Sequence, residues 1–460
     1  MDRFRKVRCM TVSSAFHASL LASAVCPVVA GAQSAPRTDP FGEVVVAIRA
    51  RHIETVSKGA IDNGIVLIRN GKISAIGKDV KIPVGATILT ADTVMPGLVG
   101  VDSRIGLTGA FTPSDPIFTT RGSGPPAGLA GGGARGGSNP HYRVMDELYP
   151  YDASYGRLAR TGVTTLGLSP SGATISGQGA VVRPIADTAE AMALVPSGLL
   201  SVSFAANTQT IDLIRTTFEG VRPQPTDDGS DDGGDDFGPP FDAKNKAGDA
   251  GDNTQGRRQG RGGAGFQRPT GPATGNAAER SAPVLKAFNG NIPTFINCPD
   301  DASISYALPL FQAFATLKPV YILNAPDSYR IAYALGAKKA NVILNAALVN
   351  EPLTTNRINL PLILSKAGAK IACRPQSDDV EGYRNLRFKM GELVKNGLDR
   401  DVALRAITLS PAEMLGVSDR VGSLDVGRDG NLLLLDGDPL EARTRLKQVL
   451  LEGKVVYDGD

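Results

Sequence analysis

Long apolar runs are nearly absent from this sequence of 460 residues. The exception lies at the N-terminus, where Cys9 to Val29 form a mostly apolar stretch between a basic start and the small residues Ala30-Gly31-Ala32. This order is typical of an export signal, so residues 1–32 are predicted to be a signal peptide. An uncleaved membrane anchor is the alternative, although Pro27 and the polar residues fit a signal better. No second span is predicted, and the mature protein is expected to be periplasmic or secreted.

An excess of either charge is also missing. The chain has 49 Lys and Arg against 46 Asp and Glu, but the predicted signal holds four of the basic residues and one of the acidic ones. The mature chain therefore carries 45 of each, and its net charge is zero. That balance excludes an electrostatic attraction to nucleic acid or to an anionic membrane surface.

Cysteine and histidine are scarce, with four and three residues in the whole chain. After the signal is removed, only Cys298, Cys373, His52 and His141 remain. An exported protein could pair the two cysteines in a disulfide. Both lie in separate apolar runs, however, so two buried free thiols are the favoured interpretation. His141 follows a glycine-rich stretch and is predicted to be a loop residue.

What is present fits a globular protein of more than one structural unit. Hydrophobic residues make up 42% of the chain, and about 428 mature residues exceed what one core usually organises. Short strand patterns occupy Phe41 to Leu89 and the far C-terminus, and Asn70-Gly71 between two apolar runs is a strong hairpin signal. In between, strand-like and helix-like runs alternate. This alternation predicts a parallel sheet and, at this length, a closed (β/α) barrel.

Two low-complexity tracts interrupt the alternation, at residues 119–139 and 222–283. The first consists mostly of Gly, Pro and Ser, and the second runs from an Asp-rich part into Arg and Gly. Both lack the apolar side chains that would compensate the entropy lost on ordering, so they are predicted to be disordered insertions. The Asp-rich part lacks the regular spacing of a calcium loop.

Several motifs resemble the amidohydrolase superfamily, in particular its imidazolonepropionase-like branch. The matching stretches are Gly71-Lys72-Ile73-Ser74-Ala75-Ile76-Gly77, Val94-Met95-Pro96-Gly97-Leu98-Val99, Ser176-Gly177-Gln178-Gly179-Ala180-Val181-Val182, residues 403–416 and residues 421–432. The resemblance implies a (β/α)8 TIM-type barrel over residues 95–420. It also implies a small β-sandwich that residues 38–94 and 421–460 build together.

The same resemblance implies hydrolysis of carbon–nitrogen bonds other than peptide bonds, with zinc or another divalent metal as cofactor. In that family a His-x-His after the first barrel strand, two later His and an Asp after the last strand hold the ion. Here Asp102 and Arg104 occupy the His-x-His positions, and Asn297 replaces a ligand His. The position of the catalytic Asp within residues 374–379 is ambiguous, and Asp378 is the candidate. Since even the mononuclear site of the family needs four His, no metal is expected to bind, and whether the chain is an enzyme stays open.

Three interpretations of the replaced residues remain. In the leading interpretation, Asp102 and Arg104 form an ion pair that fills the old metal pocket, because two residues in these positions of an extended segment point the same way. The second is a small-molecule site in which Arg104, with Asn297 and Arg374 nearby, binds a ligand carboxylate. The third, a hydrolase using Cys298 or Cys373, is the least favoured because no His adjoins either thiol in sequence.

The leading functional hypothesis is therefore an exported, metal-free pseudoenzyme. It would be a structural or regulatory partner of an active amidohydrolase relative, or it would form a homo-oligomer. The alternative is an atypical active amidohydrolase or a small-molecule binder that uses the old pocket.

Overall fold

A computed structural model describes residues 44–107, 137–222, 277–351 and 353–459 of the chain. The predicted signal peptide and most of the two low-complexity tracts lie outside these ranges. Within them, no helix is long and apolar enough to cross a membrane.

Seven strands from the two ends of the described chain form one continuous sheet. They are β1 (Val45–Glu54), β2 (Ala60–Arg69), β3 (Lys72–Gly77), β4 (Thr87–Pro96), β15 (Leu432–Leu435), β16 (Leu446–Leu451) and β17 (Lys454–Asp458). Their order across the sheet is β17-β16-β15-β4-β1-β2-β3, so β15 lies beside β4. This sheet stands where a β-sandwich is expected, and its division into two packed layers stays a prediction.

The hairpin predicted at Asn70-Gly71 is confirmed. β2 and β3 pair antiparallel on either side of these two residues. Both have positive φ, 47° for Asn70 and 82° for Gly71, as the tight turn of a two-residue hairpin requires.

Eight further strands form a second, nearly closed sheet, as predicted for a barrel. They are β5 (Leu98–Ser103), β6 (Val163–Leu168), β7 (Ile175–Val182), β8 (Ala193–Ser203), β9 (Thr294–Cys298), β10 (Pro319–Leu323), β11 (Asn341–Asn345) and β14 (Lys370–Arg374). They follow one another in this order around the sheet, and β14 packs beside β5 where the barrel closes. A small hairpin, β12 (Val349–Asn350) and β13 (Arg357–Ile358), interrupts the sequence between β11 and β14.

The expectation of a wholly parallel barrel sheet is wrong at one strand. β7 runs antiparallel to both of its neighbours, β6 and β8. The connection from β6 to β7 spans only residues 169–174, and a parallel crossover needs a dozen or more residues. The chain therefore turns back directly, and the strand–helix alternation is broken at this point.

Ten helices are found in the described part of the chain. They are α1 (Ala153–Ala159), α2 (Ala189–Met192), α3 (Thr208–Glu219), α4 (Ala277–Phe288), α5 (Asp301–Gln312), α6 (Ala332–Ala337), α7 (Leu360–Ala367), α8 (Val380–Lys395), α9 (Arg400–Ala406) and α10 (Leu409–Met414), with 3-10 turns at Val144–Asp146 and Pro326–Ile331. The predicted C-terminal boundary of the second tract, residue 283, is wrong, because residues 277–283 belong to helix α4. Its first turn, Ala277-Ala278-Glu279-Arg280, consists of strong helix formers.

The barrel interior is filled by one buried apolar cluster. Its members recur at every second position of the strands, as expected when alternate side chains face the same side of a sheet. They include Val99, Val101, Phe295, Val320, Ile322, Ile343 and Ala372. Ala412, Met414 and Leu415, from α10 and the residue after it, join the same cluster and close the barrel interior with apolar side chains.

Candidate functional site

A layer of polar side chains lies at the carboxyl ends of the barrel strands, next to the apolar interior. The alternation that turns Phe295, Ile322, Ile343 and Ala372 inward places the residues two positions later in the same direction. Those residues are Asn297, Asn324, Asn345 and Arg374. Loops at this end of a (β/α) barrel carry the reactive groups of enzymes with this fold, which makes the barrel mouth the candidate site.

Arg374 is the centre of this layer. Its Nη1 donates to Asp102 Oδ2, its Nη2 donates to Asn324 Oδ1 at 2.5 Å and its Nε donates to Asn345 Oδ1 at 3.1 Å. Asn324 in turn donates to Asn297 Oδ1 at 2.5 Å. One guanidinium thus joins the ends of β5, β10, β11 and β14, with β9 attached through the two amides.

Asp102 reaches Arg374 because its backbone leaves the extended conformation. Its φ is +54°, a left-handed value that is uncommon for a residue with a side chain. The β5–β6 register also shifts between Gly100 and Ser103. Burial raises the pKa of Asp102, while the positive charge of Arg374 lowers it, and the effect of burial is the larger.

The predicted ion pair between Asp102 and Arg104 is therefore wrong. Among the described residues, the ion pair of Asp102 is with Arg374. The prediction assumed an extended segment, whereas the positive φ of Asp102 turns its side chain toward β14. Arg104 is exposed, and its backbone nitrogen donates to Asp378 Oδ2 at 2.7 Å. A role of Arg104 in ligand binding stays a prediction.

The structure separates the two neighbouring carboxylates after β14. Asp378 lies at the solvent edge of the mouth with its carboxylate turned inward, where it accepts hydrogen bonds from Ser103 Oγ and Arg104 N, each at 2.7 Å. Desolvation raises its pKa, although both hydrogen bonds oppose the shift. Asp379 caps α8 by accepting from Gly382 N at 2.6 Å. Asp378 is thus the carboxylate that enters the mouth, and both of its oxygens are already engaged.

Tyr383 lies beneath these carboxylates. Its side chain is buried, and within the described residues its hydroxyl has no hydrogen-bond partner. Burial raises the pKa of Tyr383 well above its ordinary value, and the nearby Asp378 adds to that shift. The phenol therefore stays neutral, and its hydroxyl can donate or accept a hydrogen bond.

A cavity of about 1110 Å³ adjoins the polar layer. Polar side chains that line it include Thr174, Ser203, Asn207, Gln209, Asn297 and Asn324. These six side chains are uncharged donors or acceptors, and the lining contains one carboxylate, that of Asp212. The cavity therefore suits a small neutral polar molecule better than an anion.

The donors at the mouth do not suit a divalent metal. His52 lies on β1 beside Asp62 and Glu54, and His141 lies in an exposed turn. Within the described ranges, no group of three or more His, Cys, Asp and Glu side chains is arranged to hold a metal ion. The guanidinium of Arg374 would also repel a cation held by Asp102.

Cys298 and Cys373 are free and buried, on β9 and β14. Two strands, β10 and β11, separate them in the sheet. Burial raises the pKa of Cys373 to about 12 and that of Cys298 further. Both thiols therefore stay protonated near neutral pH, which argues against a nucleophilic role.

Sequence reasoning missed Asn324, Asn345, Ser103 and Tyr383. Asn324 and Asn345 each follow directly after an apolar run, Pro319–Leu323 and Val342–Leu344. The polar residue that directly follows each of these two apolar runs was the signal that could have identified them. Tyr383, in the first turn of α8, carries no such signal.

Comparisons with known proteins agree with this fold. The crystal structure of an amidohydrolase from Thermotoga maritima MSB8 has a TM-score of 0.67, with 18% sequence identity over 90% of this chain and 100% of that chain. Residues 385–457 match the model of the Amidohydrolase family.

Two curated relatives match over short stretches. An adenine deaminase from Rubrobacter xylanophilus is 36% identical over 85 residues, which is 18% of this chain and 13% of the relative. Amidohydrolase tasK from Hapsidospora irregularis is 34% identical over 62 residues, 14% of this chain and 6% of the relative. The match thus spans only a small part of either relative. The family model thus matches a C-terminal stretch of the chain, and the similarity to the Thermotoga maritima structure shows a shared barrel fold.

Proposed function

We propose that this protein is a metal-free member of the amidohydrolase superfamily that does not hydrolyse its ligand. The observation that carries the proposal is Arg374, whose guanidinium joins Asp102, Asn324 and Asn345 at the barrel mouth. A positive charge fixed to the chain would take the place that a metal ion has in hydrolytic relatives.

The remaining groups support the same proposal. Hydrolysis by this superfamily needs a metal to lower the pKa of a bound water and a free carboxylate to take its proton. Asp102 is bound to Arg374, and both oxygens of Asp378 accept hydrogen bonds. To take the proton of a water molecule, either carboxylate would compete with the groups that already donate to it.

Metal content and turnover test the proposal together. Purified mature protein, dialysed against zinc and then against buffer, should hold well under one equivalent of zinc, manganese or nickel by elemental analysis. Dipeptides, hydantoins and lactams should not be hydrolysed. The matched control replaces the two histidines of the described residues by His52→Gln and His141→Gln, and any adventitious surface zinc should disappear in it. One equivalent of chelator-sensitive metal that supports turnover would refute the proposal.

The cavity favours a second, compatible function, the binding of a small neutral polar molecule. Asn297 and Asn324 contribute amides to its wall, and an amide or lactam group could exchange hydrogen bonds with them. The same panel of compounds, used in thermal shift measurements, should raise the melting temperature in at least one case. Asn297→Leu should remove that shift, whereas Asn385→Leu, on the exposed surface of α8, should keep it.

Export and a structural or regulatory role, beside an active relative or in a homo-oligomer, remain part of this proposal as predictions. Cell fractionation and size-exclusion chromatography of the native protein would test them.

A further inference from the structure

A second pocket lies between the barrel helices and the edge of the seven-stranded sheet. It is formed by the residue after α1, by α8 and by β16 and β17, and its volume is about 330 Å³. Five basic side chains line it, those of Arg160, Arg384, Arg387, Arg445 and Lys447. None of these residues lines the cavity at the barrel mouth.

Most of these charges are not neutralised by carboxylates. Arg384 pairs with Glu381 at 2.7 Å. The other four basic side chains form no ion pair within the described part of the chain. Arg387 is partly buried, and its Nη1 donates to the carbonyl of Pro439 at 3.1 Å. Among the described residues that line the pocket, positive charge is therefore in surplus.

The acidic group that opposes this surplus is Asp436. Its charge acts on Arg387, and its Oδ1 accepts from the backbone nitrogen of Arg445 at 2.7 Å. Burial lowers the pKa of Arg387, and Asp436 only partly compensates that effect. Burial of the Arg387 guanidinium therefore costs free energy, and an anion bound here would reduce that cost by neutralising its charge.

We propose that this pocket binds a phosphate group. A phosphate carries nearly two negative charges at neutral pH, and arginine forks bind its oxygens in pairs. The volume of about 330 Å³ accommodates one such group. Lys447 also lines an adjoining groove of about 650 Å³ with Arg49 and Arg51. That groove could hold the rest of a small phosphate ester.

Calorimetric titration at constant ionic strength tests the proposal, with inorganic phosphate as the first probe and glycerol 3-phosphate as the second. Saturable binding with one site per chain is expected. When the titration is repeated at higher salt concentrations, the affinity should fall. Tighter binding of glycerol 3-phosphate would identify an ester as the ligand, whereas equal or weaker binding would identify free phosphate.

Variants locate the site. Arg160 and Arg445 are exposed, so Arg160→Gln with Arg445→Gln should leave the fold intact and weaken phosphate binding at least tenfold. The matched control is Arg443→Gln, since Arg443 is 87% exposed, pairs with Glu441 at 2.7 Å and does not line the pocket. The affinity of this control variant for phosphate should stay within twofold of the wild-type value. An equal loss in the control, or a response to phosphate no greater than to chloride of equal ionic strength, would overturn the proposal.

Discussion

Among single residues, Arg374 and Asp102 determine most of the electrostatics of the barrel mouth. Their side chains are only 18% and 17% exposed, so water screens the two charges weakly. Asn324 and Asn345 each accept a hydrogen bond from one of the other two nitrogens of the guanidinium. If one of the two charges is removed, water therefore does little to stabilise the charge that remains.

Removal of the cation should destabilise the protein clearly. Arg374→Met leaves Asp102 without its partner, and breaking a buried pair in this way costs about 3–5 kcal/mol. Adding Asp102→Asn should recover at least half of that loss, because no unpaired charge remains and asparagine tolerates a positive φ. Urea unfolding of the two variants measures both values. Arg384→Met is the control, since its exposed pair with Glu381 contributes less than about 1 kcal/mol.

The cost of Arg374→Met should also depend on pH. Burial already raises the pKa of Asp102, and loss of Arg374 raises it further. A raised pKa in the folded state means that stability is retained below the unfolded value and lost as the pH rises through the folded value. The difference between the wild type and Arg374→Met should therefore be small at acid pH and grow toward neutral pH. A difference that is constant from pH 4 to pH 7 would contradict this account.

Among the elements, β7 is the one that departs from the barrel pattern. It contains the stretch Ser176-Gly177-Gln178-Gly179, and a Cβ atom on Gly179 would lie 2.3 Å from the carbonyl oxygen of Leu168 on β6. The close approach of two antiparallel backbones explains why glycine stands there.

A side chain at this position should therefore be costly. Gly179→Ala must displace backbone rather than a flexible side chain, and overpacking of this kind costs about 1–3 kcal/mol. Gly156→Ala is the matched control, because a Cβ at that position in α1 meets nothing within 4 Å. The control should gain up to about 1 kcal/mol from better helix propensity. Thermal melts distinguish the two, and a neutral Gly179→Ala would show that β7 is less closely packed than described.

The sequence predicted much of the fold because the periodic signals were strong. Asn70-Gly71 and the apolar runs of β6, β9, β10, β11 and β14 follow local rules that tertiary packing did not override. The apolar pattern of β7 does not indicate its direction, since it is the same in a parallel and in an antiparallel strand. The short connection from β6 was the signal that could have indicated it.

The site was predicted less well, for a related reason. Sequence reasoning proposed Asp102, Asn297, Arg374 and Asp378 as candidates, and it named the wrong partner for Asp102. That partner depends on one backbone angle, the φ of +54° at Asp102, and on contacts between residues more than 270 positions apart. Neither is encoded in local sequence patterns.

At the scale of the whole molecule, ion pairs connect the seven-stranded sheet to the barrel, among them Arg183–Glu452 and Arg400–Glu54. Arg400, the first residue of α9, contacts Glu54 of β1 at 2.5 Å and Asp438 at 3.0 Å. The side chain of Glu54 is only 5% exposed, and its other partner is His52 at 3.0 Å.

Loss of this tie should weaken the protein measurably. Arg400→Ala leaves the buried carboxylate of Glu54 with His52 as its neighbour, and a hydrogen bond to a charged group contributes about 1.5–3 kcal/mol. Arg51→Ala serves as the control, because its ion pair with Asp92 is 82% and 44% exposed and should contribute under about 1 kcal/mol. Equal effects of the two changes in urea unfolding would argue against a tie between sheet and barrel.

The position of β15 between β4 and β16 also bears on how the protein is made on the ribosome. β4 ends at Pro96 and its partner β15 begins at Leu432, so more than 330 residues must be synthesised before the two can pair. At 5–20 residues per second this takes roughly 20–70 s. During that time one edge of β4 has no partner strand, and an unpaired edge is prone to aggregate. The nascent chain should therefore depend on a chaperone until its last strands emerge.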